Sequence, residues 1–259
     1  MVNLPLLLHF ARQDLIDRYA GSVLGGAWSF FLPLTNILIF TLVFSKIMGA
    51  RLEVFGQEFS QYGYSIYLIA GILPWVSFAN TIQRTTTVYR DKAGLIGKVR
   101  VGLKTLPLYI LVSEAAIFVI SMAFFAVFLL IIGFPIDGYW LLIPLVYLVQ
   151  QLFAYALGFG LAILSVFLRD IREFINVIVQ LWFWLTPVVY VITILPEPYR
   201  RLIALNPFFT LVNSYRDLIV HHQLPGFYGL AVVFGVSLVV LGLSVALCGK
   251  VERELRDFL

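Results

Sequence analysis

Few residues in this chain could do covalent or proton chemistry, and fewer still stand at workable spacing. Glu114 is the one acid inside the long apolar run Thr105–Ile136. An intramembrane carboxylate is costly and usually faces protein or water. It reads either as a proton-coupling site or as an acid bonded to a neighbouring helix. A relay needs a second ionisable group, and no partner His, Asp or Lys stands within the spans. His221 and His222 adjoin Gln223-Leu224-Pro225-Gly226, with no carboxylate or cysteine at ligand spacing, which argues against a metal site. Cys248 is the single cysteine, so there is no intrachain disulfide, CxxC or thiolate cluster. Gly94-Leu95-Ile96-Gly97-Lys98 has the look of a phosphate loop, but GxxxxGK[ST] needs glycine where Lys92 stands and a hydroxyl where Val99 stands. The expectation is a chain with no catalytic residue, no metal and no cofactor of its own.

The elements that carry these residues are dictated by composition. The 259 residues are 61% hydrophobic and 12% charged, with a mean hydropathy of +0.95. Soluble domains carry roughly 25% charged residues. So few charges cannot cover so much apolar surface, and lipid must be the solvent for most of the chain. The net charge of +4 and pI near 9.2 do not point to nucleic acid, because the charges cluster between long uncharged stretches, as topology signals do.

The uncharged runs are 19–45, 59–83, 105–136 (interrupted by Glu114), 138–168, 174–196 and 218–249. Each exceeds the roughly 20 residues that cross about 30 Å of hydrocarbon. The first is too long for the h-region of a cleavable signal. The expected fold is therefore an all-α membrane protein of six transmembrane helices, near 27–49, 62–83, 105–133, 139–168, 174–195 and 227–249, in a single domain over 1–259. Counted from Lys104, Glu114 would lie about 15 Å deep. Lys and Arg set the orientation. With both termini cytoplasmic, the inside segments hold Arg12, Arg18, Arg84, Arg90, Lys92, Lys98, Arg100, Lys104, Arg169, Arg172, Lys250, Arg253 and Arg256. Only Lys46, Arg51, Arg200, Arg201 and Arg216 fall outside. The positive-inside rule favours this arrangement over its inverse.

Four segments lie outside the spans. In 1–20, Leu4, Leu7, Leu8, Ala11, Leu15 and Tyr19 recur at helical spacing with Arg12, Gln13, Asp14 and Asp17 opposite, which predicts an amphipathic helix on the cytoplasmic surface. The cytoplasmic loop 84–104 carries six basic residues (Arg84, Arg90, Lys92, Lys98, Arg100 and Lys104) and one acid, interleaved with glycine and apolar residues that a solvated loop would not need. Docking a partner is one role for it; fixing topology against anionic lipid is the other. A tight turn at 168–173 holds the pair Arg169-Asp170, either bracing a cytoplasmic gate or simply stopping two helices. The external region 196–226 places Tyr199 and two short apolar pieces around Asn206-Pro207, too short to cross and suited to a re-entrant hairpin.

Aromatic residues form a further pattern. Tyr64, Tyr67, Gly71, Trp75 and Phe78 share one helical stripe, as do Phe183, Pro187 and Tyr190 beside Trp182 and Trp184. Flat rings pack well on the C–H faces of sugars, so these stripes are candidate lining for a carbohydrate passage. An interfacial belt or helix–helix packing would use the same residues.

Several of these stretches together resemble a known family. They are Arg12-Gln13-Asp14-Leu15-Ile16-Asp17-Arg18-Tyr19, then Gly21-Ser22-Val23-Leu24-Gly25 with Trp28 and Pro33, and further on Leu168-Arg169-Asp170, Thr186-Pro187-Val188 with Tyr190, and Leu205-Asn206-Pro207. In this order they are similar to ABC type-2 permeases, most closely the branch exporting O-antigen, teichoic acid or capsule. The resemblance implies the permease subunit of an ATP-driven exporter of lipid-linked polysaccharide in the inner membrane. It further implies a homodimer working with two copies of a separate ATPase that binds the ATP and magnesium. On that reading Arg12, Asp14, Arg18, Arg90, Asp91, Lys92, Lys98 and Arg100 would couple to the ATPase, Arg169 and Asp170 would brace the cytoplasmic gate, and Tyr199, Asn206 and Pro207 would form the external gate. Efflux of drugs or small lipids and proton-coupled transport are the alternatives.

Overall fold

The computed structural model describes residues 4–18, 22, 28, 31, 35, 37–39, 41–43, 56–96 and 102–258; for 56–61 and 194 it describes the backbone alone. All regular structure among them is helical. The expected first span, Lys98 and Arg100 fall largely or wholly outside the described residues.

Helix α1 runs Leu4–Asp17, α2 Gly56–Asp91, α3 Ala93–Ile96 and α4 Leu108–Ile131. A 3-10 turn, Gly138–Leu142, leads into α5, Ile143–Phe167, followed by α6, Ile171–Leu185. Beyond a second 3-10 turn lie α7, Glu197–Ala204, and α8, Pro207–Ile219; α9 spans Phe227–Lys250 and α10 Glu252–Phe258. Four helical stretches among the described residues are long and apolar enough to cross a bilayer: Tyr62–Asp91, Leu108–Ile131, Gly138–Phe167 and Phe227–Lys250.

Helix α2, with 36 residues, is about 54 Å long, far more than the hydrocarbon layer needs. It therefore runs on through Arg84 to Asp91, and the first part of the expected loop 84–104 is helix rather than loop. The expected fifth span, 174–195, is not one continuous helix either. Helix α6 stops at Leu185 because Thr186 precedes Pro187 and takes an extended conformation (φ −106°, ψ 133°). A residue before proline avoids the helical region, and proline has no N–H to continue the ladder.

Other boundaries follow from local chemistry. Helix α4 ends at Gly133, whose φ of +74° lets its N–H bond Leu130 O at 3.2 Å while Phe134 N–H reaches Leu129 O at 2.9 Å; this paired closure needs glycine in the left-handed region. Asp137 accepts from Tyr139 N–H to start the turn before α5. Asn206 caps α8, with Pro207 at its first position.

Helix α5 is the central element, packed against α2 on one side and α9 on the other. Both contacts are made across glycine. A Cβ on Gly158 would lie 2.8 Å from the Thr85 Cβ and 3.2 Å from Ile82 O, and one on Gly160 would lie 2.8 Å from Ser244 Oγ. Small residues let helices approach closely where apolar burial from water is not the driving force. Polar side chains join the same helices. Gln151 bonds Ser77, Tyr147 and Thr81, each at 2.9 Å, and Gln150 donates to Pro74 O at 3.1 Å.

The contact at Gly158 generates a prediction. Gly158→Ala forces α2 and α5 apart, and overpacking of this kind costs about 1–3 kcal/mol. A lowered thermal midpoint of the detergent-purified protein is expected, and an unchanged midpoint would show that the two helices tolerate separation.

Candidate functional site

At one end of the bundle, α1 lies across α4, with Ala11 buried and the Phe10 ring tilted against Tyr109 at 6.2 Å. The face turned inward is not the all-leucine stripe. Leu4 and Leu8 stay more than half exposed, while Asp14 and Arg18, which the pattern set on or beside a solvated face, point into the bundle. Glu114 Oε1 accepts from Arg18 Nη2 and from Arg84 Nη1, both at 2.6 Å. Arg84 also pairs through Nη2 with Asp14 and through Nη1 with Ser113 Oγ at 3.3 Å. Glu114 is 1% exposed, against 21% and 26% for Arg18 and Arg84. Helix α4 begins only at Leu108, so Glu114 stands about 9 Å along its axis rather than 15 Å past Lys104. The lone acid is thus the centre of a four-residue ionic cluster joining α1, α2 and α4.

Neighbouring groups extend this end. Arg90 reaches Val166 O and Arg169 O, each at 3.4 Å, from the last turn of α2 to the end of α5 and the turn after it. This brings Arg90 to the turn that carries Arg169 and Asp170, both of whose side chains are exposed. Lys92 lies 5.8 Å from the centre of the Tyr109 ring, Asp91 accepts from Thr87 at 2.6 Å, and Arg12 is exposed. Tyr89 donates to Leu103 O at 2.8 Å, pinning the segment before α4.

At the far end of α6, the break is enclosed by donors. Asn206 Oδ1 accepts from Phe208 N–H at 3.0 Å and from Trp182 Nε1 at 2.9 Å, and its amide donates to Thr186 Oγ1 at 2.8 Å. Arg216 Nη1 and Nη2 donate to Pro187 O and Val188 O at 2.8 and 2.7 Å. The Tyr64 hydroxyl donates to Val189 O. Two short sequence signals far apart in the chain, Thr186-Pro187 and Asn206-Pro207, are therefore one structure.

The aromatic stripes form the packing around this structure. Trp75 and Phe78 are buried. Trp75 meets Phe208 edge-on at 4.9 Å and Phe183 at 5.5 Å; Phe78 meets Phe208 at 4.5 Å and Trp182 at 5.3 Å. Tyr67 is buried beneath Arg216. Tyr64, Phe183 and Tyr190 are half-buried, and Tyr190 donates to Trp184 O at 3.1 Å. Tyr199 on α7 is exposed, and Pro207 is half-buried. Past α8, His222 Nδ1 lies 2.7 Å from Asp137 Oδ2, and burial pushes the adjacent His221 imidazole down against the opposing pull of Asp217.

Sequence reasoning missed the roles of Arg216 and Gly71 and the pairing of Glu114 with Arg18 and Arg84. Arg216 was counted as an outer topology charge, although its position on an apolar helix begun by Asn206-Pro207 was a usable signal. Arg18 and Arg84 were counted as inner topology charges, and nothing local ties them to residue 114.

A bundle of this composition, with several helices able to cross a bilayer, is a multi-pass α-helical membrane protein. The chain belongs to the ABC-2 type transporter family, whose model matches residues 6–220; it is a membrane transport subunit, not an enzyme. It is 30% identical over 238 residues to the O-antigen export system permease protein RfbA of Myxococcus xanthus, covering 91% of this chain and 88% of that protein. It is 28% identical over 242 residues to the protein of the same name from Klebsiella pneumoniae, covering 93% and 90%.

Two predictions follow from the geometry at the two ends. Glu114→Gln leaves Arg18 and Arg84 without their shared anion. Losing one member of a buried ion pair costs about 3–5 kcal/mol, and less where partners keep some solvent, so about 2–4 kcal/mol is expected here. Faster proteolysis within residues 4–18 at an otherwise intact bundle is the expected readout. Asn206→Ala removes the cap, worth about 1 kcal/mol, together with the bonds to Trp182 and Thr186. A shift of tryptophan emission should accompany a lowered thermal midpoint, and an unmoved spectrum would place Trp182 outside this network.

Proposed function

We propose that the chain is the permease subunit of an ATP-driven exporter that moves a lipid-linked, O-antigen-like polysaccharide across the inner membrane. One observation carries the reading: the likeness to O-antigen export permeases runs through about nine-tenths of both chains rather than through a short shared segment. Energy comes from a separate nucleotide-binding ATPase, which holds the ATP and magnesium. Two copies of each subunit assemble, and the polymer passes along the seam between two permeases.

The spans are six, both ends lie in the cytoplasm, and α7 and α8 form an external hairpin that dips back toward the bundle. A stripe on α6 (Phe174, Val177, Ile178, Leu181, Trp184 and Leu185) is exposed in the single chain and supplies an apolar face for lipid or a second copy. Tyr64, Phe183 and Tyr190 contribute to the lining, with Tyr67, Trp75 and Phe78 supporting them from behind. Tyr199, Asn206 and Pro207 gate the outer mouth.

Coupling enters through α1, the cytoplasmic end of α2 and the segment up to residue 104, using Arg12, Asp14, Arg18, Arg90, Asp91, Lys92, Lys98 and Arg100. What supports this is mechanical. Helix α1 is tied to α2 and α4 through Glu114, so a push on α1 reaches two helices at once. Arg90 carries the same displacement to Arg169 and Asp170 at the cytoplasmic gate. Proton coupling is disfavoured by the same cluster, since Glu114 is already engaged by the two guanidiniums that tie α1 and α2 to α4.

Deletion of the chain in its native host tests the reading. Surface glycan should disappear while lipid-linked glycan accumulates inside, and re-expression should restore display. Normal surface glycan in the deletion strain would overturn it.

A further inference from the structure

We infer that Arg216, with Gly71 facing it, is the positioning residue that holds the broken end of α6 to α2 and α8, so that these three elements move as one piece at the outer mouth. The inference rests on the export reading and adds a part to it.

Arg216 is 1% exposed, and among the described residues no carboxylate pairs with it. Burying a charge without an opposite charge is unfavourable unless other groups replace water around it. Here they do. Nη1 and Nη2 serve the consecutive carbonyls of Pro187 and Val188, Nε points at Tyr67 O at 3.4 Å, and the guanidinium carbon lies 3.5 Å from the centre of the Tyr67 ring. The carbonyls exist as free acceptors because α6 stops at Leu185. In an apolar bundle they have no bulk water to turn to. A planar fork matches two carbonyls in sequence, whereas an ammonium is a single point charge.

Gly71 is the second, independent observation. It sits inside α2, where glycine weakens a helix. A Cβ there would lie 2.9 Å from Arg216 Nη2 and 3.4 Å from Val188 O. The glycine is the space that the guanidinium occupies. Tyr64 on α2 holds the next carbonyl, Val189 O, and Asn206 holds Thr186 from the other side. Residues 186–189 are thereby fixed to α2 and α8, and bending at the mouth is displaced to the stretch between Tyr190 and α7.

The test replaces the native gene with Arg216→Lys, Gly71→Ala and the double variant, and reads three quantities: membrane level, surface glycan and ATP hydrolysis in isolated membranes. With Arg216→Lys, glycan displayed per ATP hydrolysed should fall about tenfold or more at near-normal membrane levels, the scale of one lost hydrogen bond to a charged group. A purely structural role would lower all three together. Gly71→Ala should show the same uncoupling, yet add little on the Arg216→Lys background, because the shorter side chain vacates the space. Should Arg216→Lys fail to reach the membrane, Tyr64→Phe replaces it. That change removes only the hydroxyl and should reduce display about fivefold. Wild-type display with Arg216→Lys or its substitute, or a full additive loss in the double variant, overturns the inference. Display that never depended on the chain at all would instead overturn the export reading.

Discussion

A helix that stops inside an apolar bundle strands carbonyl groups where no bulk water can reach them, and the half of this molecule around Thr186 is arranged around that constraint. Thr186 and Pro187 impose the break. Arg216, Tyr64 and Asn206 then supply donors from two other helices. Once those donors are in place, much else is fixed. Helix α8 must start at Asn206 to present its cap, Gly71 must lack a side chain, and Trp182 must turn its indole N–H toward the cap. The ring cluster of Trp75, Phe78, Phe183 and Phe208 fills the remaining volume.

The half that holds α1 solves a different electrostatic problem with different means. There the buried group is an anion, Glu114, and two guanidiniums answer it directly. Carboxylate–guanidinium bonds are the strong, geometrically selective ones, and these two come from separate elements. The result is a junction rather than a local brace, because loosening any one member releases a helix. Part of the cluster remains in contact with solvent, Arg18 and Arg84 being 21% and 26% exposed. The junction at the α6 break instead centres on the buried Arg216 and depends on neutral acceptors.

Much of this was legible in the sequence, and the parts that were not share a cause. The apolar runs marked the four helical stretches long and apolar enough to cross a bilayer, and Asn206-Pro207 was visible as a break between two short pieces. A helix in the N-terminal segment was also foreseen. Its inner face was misread, because hydropathy ranks leucine ahead of aspartate and has no knowledge of a partner 96 residues away, the separation of Arg18 and Glu114. The same blindness hid Arg84 and Arg216, which were tallied as charges of a loop. The residues of the first aromatic stripe share helix α2, whereas Pro187 and Tyr190 fall beyond the end of α6 and share no helical stripe with Phe183. Whether a ring faces a lumen or another ring depends on how α2, α6 and α8 converge, and one-dimensional spacing does not carry that. Continuity was the other failure, since α2 outlasts the bilayer and α6 falls short of it.

The two glycines on α5 carry a mechanical consequence. At Gly158 and Gly160 the backbone of the central helix meets short neighbouring side chains, those of Thr85 and Ser244. Long, bendable side chains at a helix contact act as a cushion and let one rod slip along another. Contacts onto a threonine and a serine leave little room for such a cushion. Helices α2, α5 and α9 are thereby held together as a single stiff strut.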